Sequence, residues 1–493
     1  MTHHELRQLK TVLFALLITT GLYAQPAPVN DEMLPTDYLT KDFHAGRREA
    51  LRKAMPDNSV AVIFAYPTRT FSNDVEYLYH QNPDLYYFSG YNEPHSMLFI
   101  FKEEQTDSAG NKFNEMLFVQ KKNPQQEQWT GKRLGVDGAR NQLGFSAVYN
   151  GEDFAQVNID FSKFTKILYD ELPIDVPDSR FDRSDLFDLI QLFKKKAQFP
   201  ERLTQQNRFD SRLYRQLTAE LREVKTPEEL DLLRKAVEIS CQGHNEAMKA
   251  INPGMSELEI QGLQEYVHKK YGAEEVGYGS IIGSGENGCT LHYMENSKTK
   301  IGTQMLLMDV GAEYHGYTAD VTRTIPADGK FSEEERAIYQ LVYDAQEAAF
   351  KTLRDGSKWS EATSAAQKVI ADGLIKLGII QNAGEARKYF PHGLGHHIGL
   401  DVHDRGTYDK LKKNMVITIE PGIYIPEGSN CDKKWWSIAV RIEDDLLITQ
   451  DGYELLSRFA PRKIEDIEKM ISQKSAVDDF KLAPLESGKK KGF

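Results

Sequence analysis

Cysteine is scarce in this sequence, and long basic runs are absent. The 493 residues include three cysteines, Cys241, Cys289 and Cys431, and no pair has the C-x-x-C spacing. This pattern argues against a disulfide framework or a cysteine-based zinc site, although one disulfide between an unassigned pair remains an alternative. The formal net charge is −12, and no run of lysine and arginine exceeds three residues. We therefore expect neither nucleic acid nor an anionic membrane surface as a partner.

Long apolar segments are also missing, apart from one near the beginning of the chain. Arg7 and Lys10 precede the run "TVLFALLITTGL", and the small residue Ala24 follows it. This order predicts a secretory signal peptide over residues 1–24. About a dozen apolar residues are too few for a stable membrane-spanning helix, although an uncleaved tether remains the alternative. We expect an exported protein, periplasmic or secreted, with no membrane attachment after cleavage.

The composition of the remaining chain is that of a globular protein with more than one domain. Hydrophobic residues make up 40% and charged residues 27% of the sequence. Residues 36–215 mix short strands ("SVAVIFAY", "HSMLFIF", "NEMLFVQ") with helical stretches, which predicts an α/β domain. Thr226, Pro227 and Glu229 predict a capped helix at the start of a second domain over residues 225–470, α+β with an antiparallel sheet. Residues 471–493 are polar and are predicted to be disordered.

The segment "FPHGLGHHIGLDVHD", residues 390–404, contains four histidines and two aspartates. Gly393, Gly395 and Gly399 disfavour a helix, because glycine lowers helix stability and allows the backbone to bend or to approach other groups closely. We predict a loop that leads into a short strand, with imidazoles directed toward a common centre. Each histidine taken alone could instead be an ordinary solvated loop residue.

Two aspartates in "MLLMDVGAEYHGYTADVTRT" predict a cation site. With a turn at residues 313–316, Asp309 lies directly opposite Asp320 in a hairpin. Their Cβ atoms would then be about 4.5–5.5 Å apart. Two carboxylates held so close in a core repel each other unless a cation lies between them. The alternative is that one aspartate pairs with Arg323 and the other is solvated.

Two glutamates complete the acidic set. Glu420 ends the strand pattern "NMVITIE" before a proline, and Glu443 shares a strand face with Arg441 in "WSIAVRIEDDLLIT". A solvated glutamate and a surface ion pair are the alternatives, and we interpret Asp444 and Asp445 as turn or strand-edge charges. Four carboxylates can neutralise two divalent cations. Oxygen ligands with a single imidazole nitrogen favour catalytic Mn, Co, Fe or Zn.

Five ordered motifs resemble those of the pita-bread metallopeptidase family, and within it most closely those of aminopeptidase P. They are "GSIIGSGENGCTLHY", "LLMDVGAEYHGYTADVTRTIP", "HGLGHHIGLDVHD", "TIEPGIYI" and "RIEDDLLIT". The segments "NDVEYLYHQNPDLYYFSGYNEP" and "QWTGKRLG" extend the resemblance into the amino-terminal domain, so that it covers about residues 40–470. The implied fold is an α/β amino-terminal domain followed by an α+β pita-bread catalytic domain.

The resemblance also implies roles for individual residues. Two divalent metal ions, Mn in the first place, would be held by Asp309, Asp320, His396, Glu420 and Glu443. The implied catalytic residues are His292, His403 and Glu420, with Glu420 as general base, and the implied substrate contacts are His392, Arg441, Asp74 and Trp129. Arg441 would hold Glu443, Tyr278 and Tyr424 would form walls of the pocket, and His397 would be structural. Asp74 and Trp129 would help close the substrate end, from a neighbouring subunit in a homo-oligomer.

The implied activity is release of the first residue from peptides with proline in second position, by attack of a metal-bridging hydroxide on the Xaa-Pro carbonyl. Prolidase, which cleaves Xaa-Pro dipeptides, is the first alternative. A binding module of the same fold without catalysis is the second, but such modules lose metal ligands, and all five are present here. Only sixteen residues separate His403 from Glu420. This short connection favours a cleft that is open to substrates longer than a dipeptide.

Overall fold

The computed structural model describes residues 37–107, 110–180, 182–202 and 208–483. The predicted signal peptide lies outside the described residues, as do the last ten residues of the predicted disordered segment. In the described part of that segment, the Ser475 hydroxyl and the Ala476 N–H both donate to Glu246 Oε2. Among the described helices, none is both long enough and apolar enough to cross a membrane.

A six-stranded mixed sheet forms the amino-terminal part. The strand bounds, including the separate hairpin β2–β3, are β1 Ser59–Phe64, β2 Thr70–Ser72, β3 Val75–Glu76, β4 Met97–Thr106, β5 Lys112–Val119, β6 Val148–Asn150, β7 Lys166–Tyr169 and β8 Phe209–Asp210. The order in the sheet is β6-β5-β4-β1-β7-β8. Strand β1, "SVAVIF", is buried along its whole length, as expected for a strand covered on both faces. The three strands predicted from sequence correspond to β1, β4 and β5.

In the described residues, six α-helices accompany this sheet. In the helix formed by "LFDLIQLFKKKA", Asp185 accepts a hydrogen bond from Asp188 N–H as the N-cap, and Ile190 and Phe193 face the core. The helices are α1 Lys41–Ala54, α2 Pro83–Ser89, α3 Pro124–Thr130, α4 Gly135–Leu143, α5 Leu186–Ala197 and α6 Ser211–Arg222, with 3₁₀ turns at Gly151–Ala155 and Phe161–Lys163.

The second part of the chain begins with the predicted capping box. Thr226 Oγ1 accepts from Glu229 N–H, and Glu229 Oε2 accepts from Thr226 N–H. Two long helices, Glu333–Phe350 and Trp359–Lys376, follow, and their buried apolar residues belong to one hydrophobic cluster with residues of the later strands. The helices are α7 Pro227–Ala250, α8 Glu257–Lys270, α9 Glu333–Phe350, α10 Trp359–Lys376 and α11 Ile464–Ile471, with 3₁₀ turns at Gly285–Cys289, Ala383–Lys388 and Lys433–Trp435.

Short antiparallel strands complete this part. Their bounds are β9 Glu275–Val276, β10 Ile281–Ser284, β11 Met305–Asp309, β12 Ala312–Tyr314, β13 Tyr317–Thr318, β14 Thr322–Pro326, β15 Val416–Ile419, β16 Gly422–Ile425, β17 Ile438–Arg441, β18 Asp444–Ile448 and β19 Tyr453–Leu455. These strands form the sheets β10-β11-β14, β13-β12-β9, β15-β18-β19 and β16-β17.

The register of the aspartate hairpin differs from the prediction. Tyr314 pairs with Tyr317, so the two central turn residues are His315 and Gly316, with φ of 52° and 84°. Asp309 therefore pairs with Thr322 rather than with Asp320. Two positive φ angles are typical of a type I′ turn, which fixes the register of a hairpin. The difference is two residues, so both aspartates keep the same face of the hairpin and lie diagonally.

The His-rich segment is a loop, as predicted, but it does not lead into a strand. A single isolated bridge joins His397 to Ile417. The loop lies against β15 because Gly395 has no side chain, and a Cβ at this position would lie 2.0 Å from the Thr418 carbonyl oxygen. The three cysteines of the chain are free thiols in the structure.

Candidate active site

A cavity of about 580 Å³ collects nearly all the residues predicted to be functional. The elements that line it come from separate parts of the second half of the chain. Asp309 ends β11, Asp320 follows β13, Glu420 lies between β15 and β16, and Glu443 lies between β17 and β18. The lining also includes His292, His392, His396, His403, Arg441 and Tyr278.

The candidate metal ligands converge on the imidazole of His396. Its Nε2 lies 3.4 Å from Asp320 Oδ2, 3.7 Å from Glu420 Oε1 and 4.0 Å from Glu443 Oε1. Donor atoms of Asp320, His396 and Glu443 all lie within 4.8 Å of one another, which is close enough for them to share an ion. The predicted set is therefore brought together by the fold, although its members span 135 positions of sequence (Asp309 to Glu443).

Tyr278 and Arg441 organise the two aspartates. Tyr278 OH lies 2.5 Å from Asp309 Oδ1 and 2.6 Å from Asp320 Oδ1. Arg441 Nη2 donates to Asp309 Oδ2 at 2.6 Å, and its Nη1 donates to Tyr424 OH at 2.9 Å. The predicted contact of Arg441 with Glu443 is not direct: Arg441 Nε donates to the Thr322 hydroxyl at 3.2 Å, and this hydroxyl lies between the two side chains. Strand β17 ends at Arg441, so the two side chains no longer follow one strand face, and Glu443 Oε2 accepts from the Thr322 hydroxyl at 2.6 Å instead.

Charge crowding perturbs the carboxylates in opposite directions. Burial, followed by the charge of Asp309, raises the pKa of Asp320 well above its usual value. Burial and the charge of Asp320 do the same to the pKa of Glu443. Burial raises the pKa of Glu420 to about 7. Burial also opposes ionisation of Asp309, but Arg441 and Tyr278 outweigh it and lower its pKa.

This arrangement fits divalent cations. Buried carboxylates that repel one another are costly unless cations neutralise them. Four carboxylates and one imidazole are the donor types that suit a catalytic transition-metal site. The sequence prediction of this donor set is therefore consistent with the geometry of the described residues.

The histidines occupy different depths of the cavity. His392 Nε2 lies 2.8 Å from Tyr424 OH, and its Nδ1 lies 3.5 Å from Glu420 Oε2. Burial lowers the pKa of His392 to about 4. His403 and His292 are exposed at the rim, and the His403 ring lies 4.4 Å from that of His396, edge to face. His392 thus lies beside Glu420, whereas His403 and His292 present exposed rings to the cavity.

His397 points away from the cavity, as predicted for a structural residue. Its ring is buried, its Nε2 lies 2.8 Å from the Thr407 carbonyl oxygen, and it packs against Trp359. Asp74 and Trp129 do not line the cavity in this chain. Asp74 is exposed in the β2–β3 hairpin, and Trp129 is 90% exposed. Their predicted role in closing the substrate end stays a prediction.

The interpretation of Asp444 and Asp445 as turn or strand-edge charges was wrong. Both are fully buried at the beginning of β18. Asp444 Oδ1 accepts from Arg323 Nη2 at 2.7 Å, and Asp445 Oδ2 accepts from Asp320 N–H at 3.0 Å. Burial raises the pKa of Asp445 to about 8. Their position in a run of apolar residues, "EDDLLIT", was the available signal that β18 is covered on both faces.

Apolar and aromatic side chains line the rest of the cavity, namely Ile281, Leu291, Met294, Val402 and Tyr408. Tyr278 and Tyr424 were predicted as walls of the pocket. Tyr278 lines the cavity. Both tyrosines are also hydrogen-bonded members of the polar cluster, since their hydroxyls contact Asp309 and Arg441 respectively. The cavity thus combines an acidic cluster with apolar surface. This combination suits a substrate that places an apolar side chain on the apolar surface and its reacting backbone beside the acidic cluster.

Comparisons with known proteins agree with this geometry. A model of metallopeptidase family M24 matches residues 231–450, and a model of the aminopeptidase P N-terminal domain matches residues 44–167. Xaa-Pro aminopeptidase of Escherichia coli (strain K12) is 36% identical over 443 residues, which cover 86% of this chain and 96% of that protein. Xaa-Pro aminopeptidase 3 of Homo sapiens is 32% identical over 440 residues, covering 87% of this chain and 84% of that protein.

Solved structures give the same result. Aminopeptidase P from E. coli with the inhibitor Pro-Leu superposes with a TM-score of 0.77 at 33% identity, covering 88% of this chain and 98% of that one. An aminopeptidase from Pseudomonas aeruginosa superposes with a TM-score of 0.76 at 34% identity, with the same coverage. The chain therefore belongs to the aminopeptidase P group of metallopeptidase family M24.

Proposed function

We propose that this protein is a metal-dependent aminopeptidase that releases the first residue of peptides with proline in second position. The observation that carries the proposal is the convergence of Asp309, Asp320, Glu420, Glu443 and His396 in one cavity. The relatives named Xaa-Pro aminopeptidase match this chain over most of its length, which supports the choice of substrate.

Two divalent ions, with Mn²⁺ as the native metal, would be held by these five residues. When bound, the ions supply Lewis-acid activation of the peptide carbonyl and of water. Chelation should abolish hydrolysis, and added Mn²⁺ or Co²⁺ should restore it. Elemental analysis of a fully active sample that finds no transition metal would exclude this part of the proposal.

The chain's own groups have separable tasks in this reaction. Glu420 can accept and return a proton, because its carboxylate faces the cavity beside His396 and His392. His292 and His403 lie at the rim, where they can donate hydrogen bonds to charge that develops on the substrate. Arg441 and Tyr278 keep Asp309 oriented. His392 is held between Tyr424 and the Gly393 carbonyl, in place to contact the peptide.

Proline in second position explains the apolar part of the cavity. An Xaa-Pro bond has no N–H, so a peptidase cannot recognise it through that donor. A flat apolar surface can bind the ring instead. Leu291, Met294 and Tyr408 supply such surface beside the acidic cluster.

Substrate length tests the proposal. Because the connection between His403 and Glu420 is short, we expect peptide to extend from the cavity beyond proline. Xaa-Pro-Yaa peptides should be cleaved with a kcat/KM at least about tenfold higher than Xaa-Pro dipeptides, or about 1.4 kcal/mol of transition-state binding. To measure this ratio, release of the first amino acid is monitored by mass spectrometry in the presence of Mn²⁺.

Two matched peptides serve as controls for that assay. An Xaa-Ala-Yaa peptide should be a poorer substrate, and an amino-terminally acetylated Xaa-Pro-Yaa peptide should not be cleaved. Efficient cleavage of the bare dipeptide, with longer peptides left intact, would identify a prolidase instead.

We also propose export and self-association. The support for export is the order of basic, apolar and small residues over residues 1–24. Mass spectrometry of the protein from its native cell should show a mature chain that begins shortly after Ala24. An intact amino terminus on active cytoplasmic protein would contradict export. For the homo-oligomer, light scattering of the purified protein should give at least twice the mass of one chain, and the mass of a single chain would contradict self-association.

A further inference from the structure

Thr418 and Asp445 form a fully buried polar pair beneath the candidate metal cluster. The two residues lie directly opposite each other where β15 pairs with β18, so their side chains share one face of the sheet. Neither has exposed surface. Neither side chain lines the cavity or reaches a ligand atom of the cluster.

Each member of the pair binds the backbone of one candidate ligand. Asp445 Oδ2 accepts from Asp320 N–H at 3.0 Å. Thr418 Oγ1 accepts from His396 N–H at 3.1 Å, and Thr418 N–H donates to the His396 carbonyl oxygen at 2.8 Å. The pair thus holds two chain segments that both lack regular strand pairing at these positions.

Burying the Asp445 side chain costs free energy, so the stability of the fold alone does not explain why an aspartate occupies this position. Its Oδ1 is buried without a hydrogen-bond partner among the described residues. Burial of a carboxyl group with an unpaired oxygen costs free energy, and an apolar side chain of similar size would avoid that cost. The presence of Asp445 is therefore best explained by its other oxygen, Oδ2, which accepts a hydrogen bond from Asp320 N–H.

We propose that Thr418 and Asp445 are positioning residues that set the Asp320 carboxylate and the His396 imidazole at the separation a metal ion requires. This inference rests on the proposed metal dependence. Groups that orient metal ligands without touching the metal typically change its affinity by about 10–100-fold when removed. Because both N–H groups are held by one cross-strand pair, loss of either acceptor should loosen its own ligand.

Four substitutions separate this role from a general effect on folding. Thr418→Val and Asp445→Ala remove the acceptors, whereas Thr418→Ser and Asp445→Asn keep an oxygen that can accept the same hydrogen bond. Leu447→Ala is the matched control, because Leu447 is buried on the same face of β18, two residues from Asp445, and is apolar.

The first measurement is titration of the metal-free, full-length variants with Mn²⁺ by calorimetry. We expect Thr418→Val and Asp445→Ala to weaken Mn²⁺ binding by about 10–100-fold. Thr418→Ser and Asp445→Asn should stay within about threefold of the wild type, and Leu447→Ala should lose stability without a change in Mn²⁺ affinity. Equal weakening by Leu447→Ala, or unchanged affinity in both acceptor-free variants, would overturn the positioning role.

The second measurement is hydrogen exchange followed by mass spectrometry, which needs no metal. Thr418→Val should speed exchange of the His396 amide, and Asp445→Ala should speed exchange of the Asp320 amide, each by about tenfold or more. If Asp445→Ala does not fold, the isosteric Thr418→Val decides alone. Wild-type protein that binds no Mn²⁺ would end the proposed metal dependence, while unchanged exchange in the variants would end the positioning role.

Discussion

Asp320 is the carboxylate on which the acidic cluster depends most directly. It contacts Tyr278 and His396, and its pKa is raised well above the usual value by burial and by Asp309. Asp320→Asn keeps the shape but removes the charge. We expect Mn²⁺ binding to be lost and kcat/KM to fall more than about 100-fold. Removal of groups that only orient metal ligands already lowers metal affinity or activity by about 10–100-fold.

In the metal-free protein, the same substitution should preserve or increase stability, although it removes metal binding and activity. A carboxyl whose folded pKa is raised above its unfolded pKa costs stability as pH rises through that interval. Metal-free Asp320→Asn should therefore be at least as stable as metal-free wild type at about pH 8, in thermal unfolding. Asp328→Asn, at an exposed position, is the control and should change neither property. Full activity in Asp320→Asn would remove Asp320 from the site.

Individual residues of the cluster could be predicted because each stands in a distinctive local motif. Asp309, Asp320, Glu420 and Glu443 each follow or interrupt a strand pattern. The role of Asp445 could not be predicted in this way. Its partner, the Asp320 N–H, is 125 positions away in sequence, and charge alone does not show which residue a buried carboxylate will contact.

At the scale of elements, turn geometry explains the error in hairpin register. The sequence "EYHGYT" allows a turn centred on either side of His315, and the alternation of apolar residues is the same in both cases. Only the positive φ at His315 and Gly316 fixes the pairing. The face of each aspartate was predicted correctly because a shift of two residues preserves alternation.

Helix α9 is hydrogen-bonded to the two segments that precede Glu420 and Glu443. Gln346 Nε2 donates to the Ile419 and Ile442 carbonyl oxygens, one residue before Glu420 and Glu443, and to Asp444 Oδ2. Gln346→Leu leaves these buried acceptors without their donor. We expect a loss of roughly 2–4 kcal/mol in the free energy of unfolding, measured with urea, since each unpaired group costs about 1–3 kcal/mol.

A second glutamine on the same helix provides the comparison. Gln340 is exposed, and among the described residues its side chain bonds to Asp344, one turn further along, and to no other. Gln340→Leu should change the free energy of unfolding by less than about 0.5 kcal/mol. Equal losses in the two variants would show that α9, and not the Gln346 contacts, determines the effect.

At the scale of the molecule, buried ion pairs connect the two halves of the chain. Arg222 Nη1 donates to Asp84 Oδ1 at 2.7 Å, Arg222 Nη2 contacts Asp404, and Lys225 Nζ donates to Asp404 Oδ2 at 2.7 Å. Asp404 follows His403 directly, so the amino-terminal part helps to hold the loop of the cavity. Sequence predicted both halves from local patterns. It could not predict this connection, because Arg222 is separated from its partners by 138 and 182 residues.

Buried histidines should make the whole molecule sensitive to acid. Burial lowers the pKa of His44 to about 4, of His244 to about 3 and of His268 to about 4. Because these folded values lie below the unfolded value of about 6.5, the unfolded chain binds protons first, and stability falls as pH drops below about 6.5. The effect continues until the folded pKa is reached.

His268 offers the sharpest test, because both of its ring nitrogens are buried without a hydrogen-bond partner among the described residues. When the pH is lowered from about 7 to about 5, the free energy of unfolding of His268→Gln should rise by about 2 kcal/mol relative to that of wild type. Urea unfolding of the metal-free proteins measures this difference. His80→Gln should change with the opposite sign, because the hydrogen bond that His80 donates to Glu313 raises the pKa of His80, so protonation stabilises the folded state. Parallel pH profiles for wild type and His268→Gln would show that His268 does not contribute to the acid sensitivity.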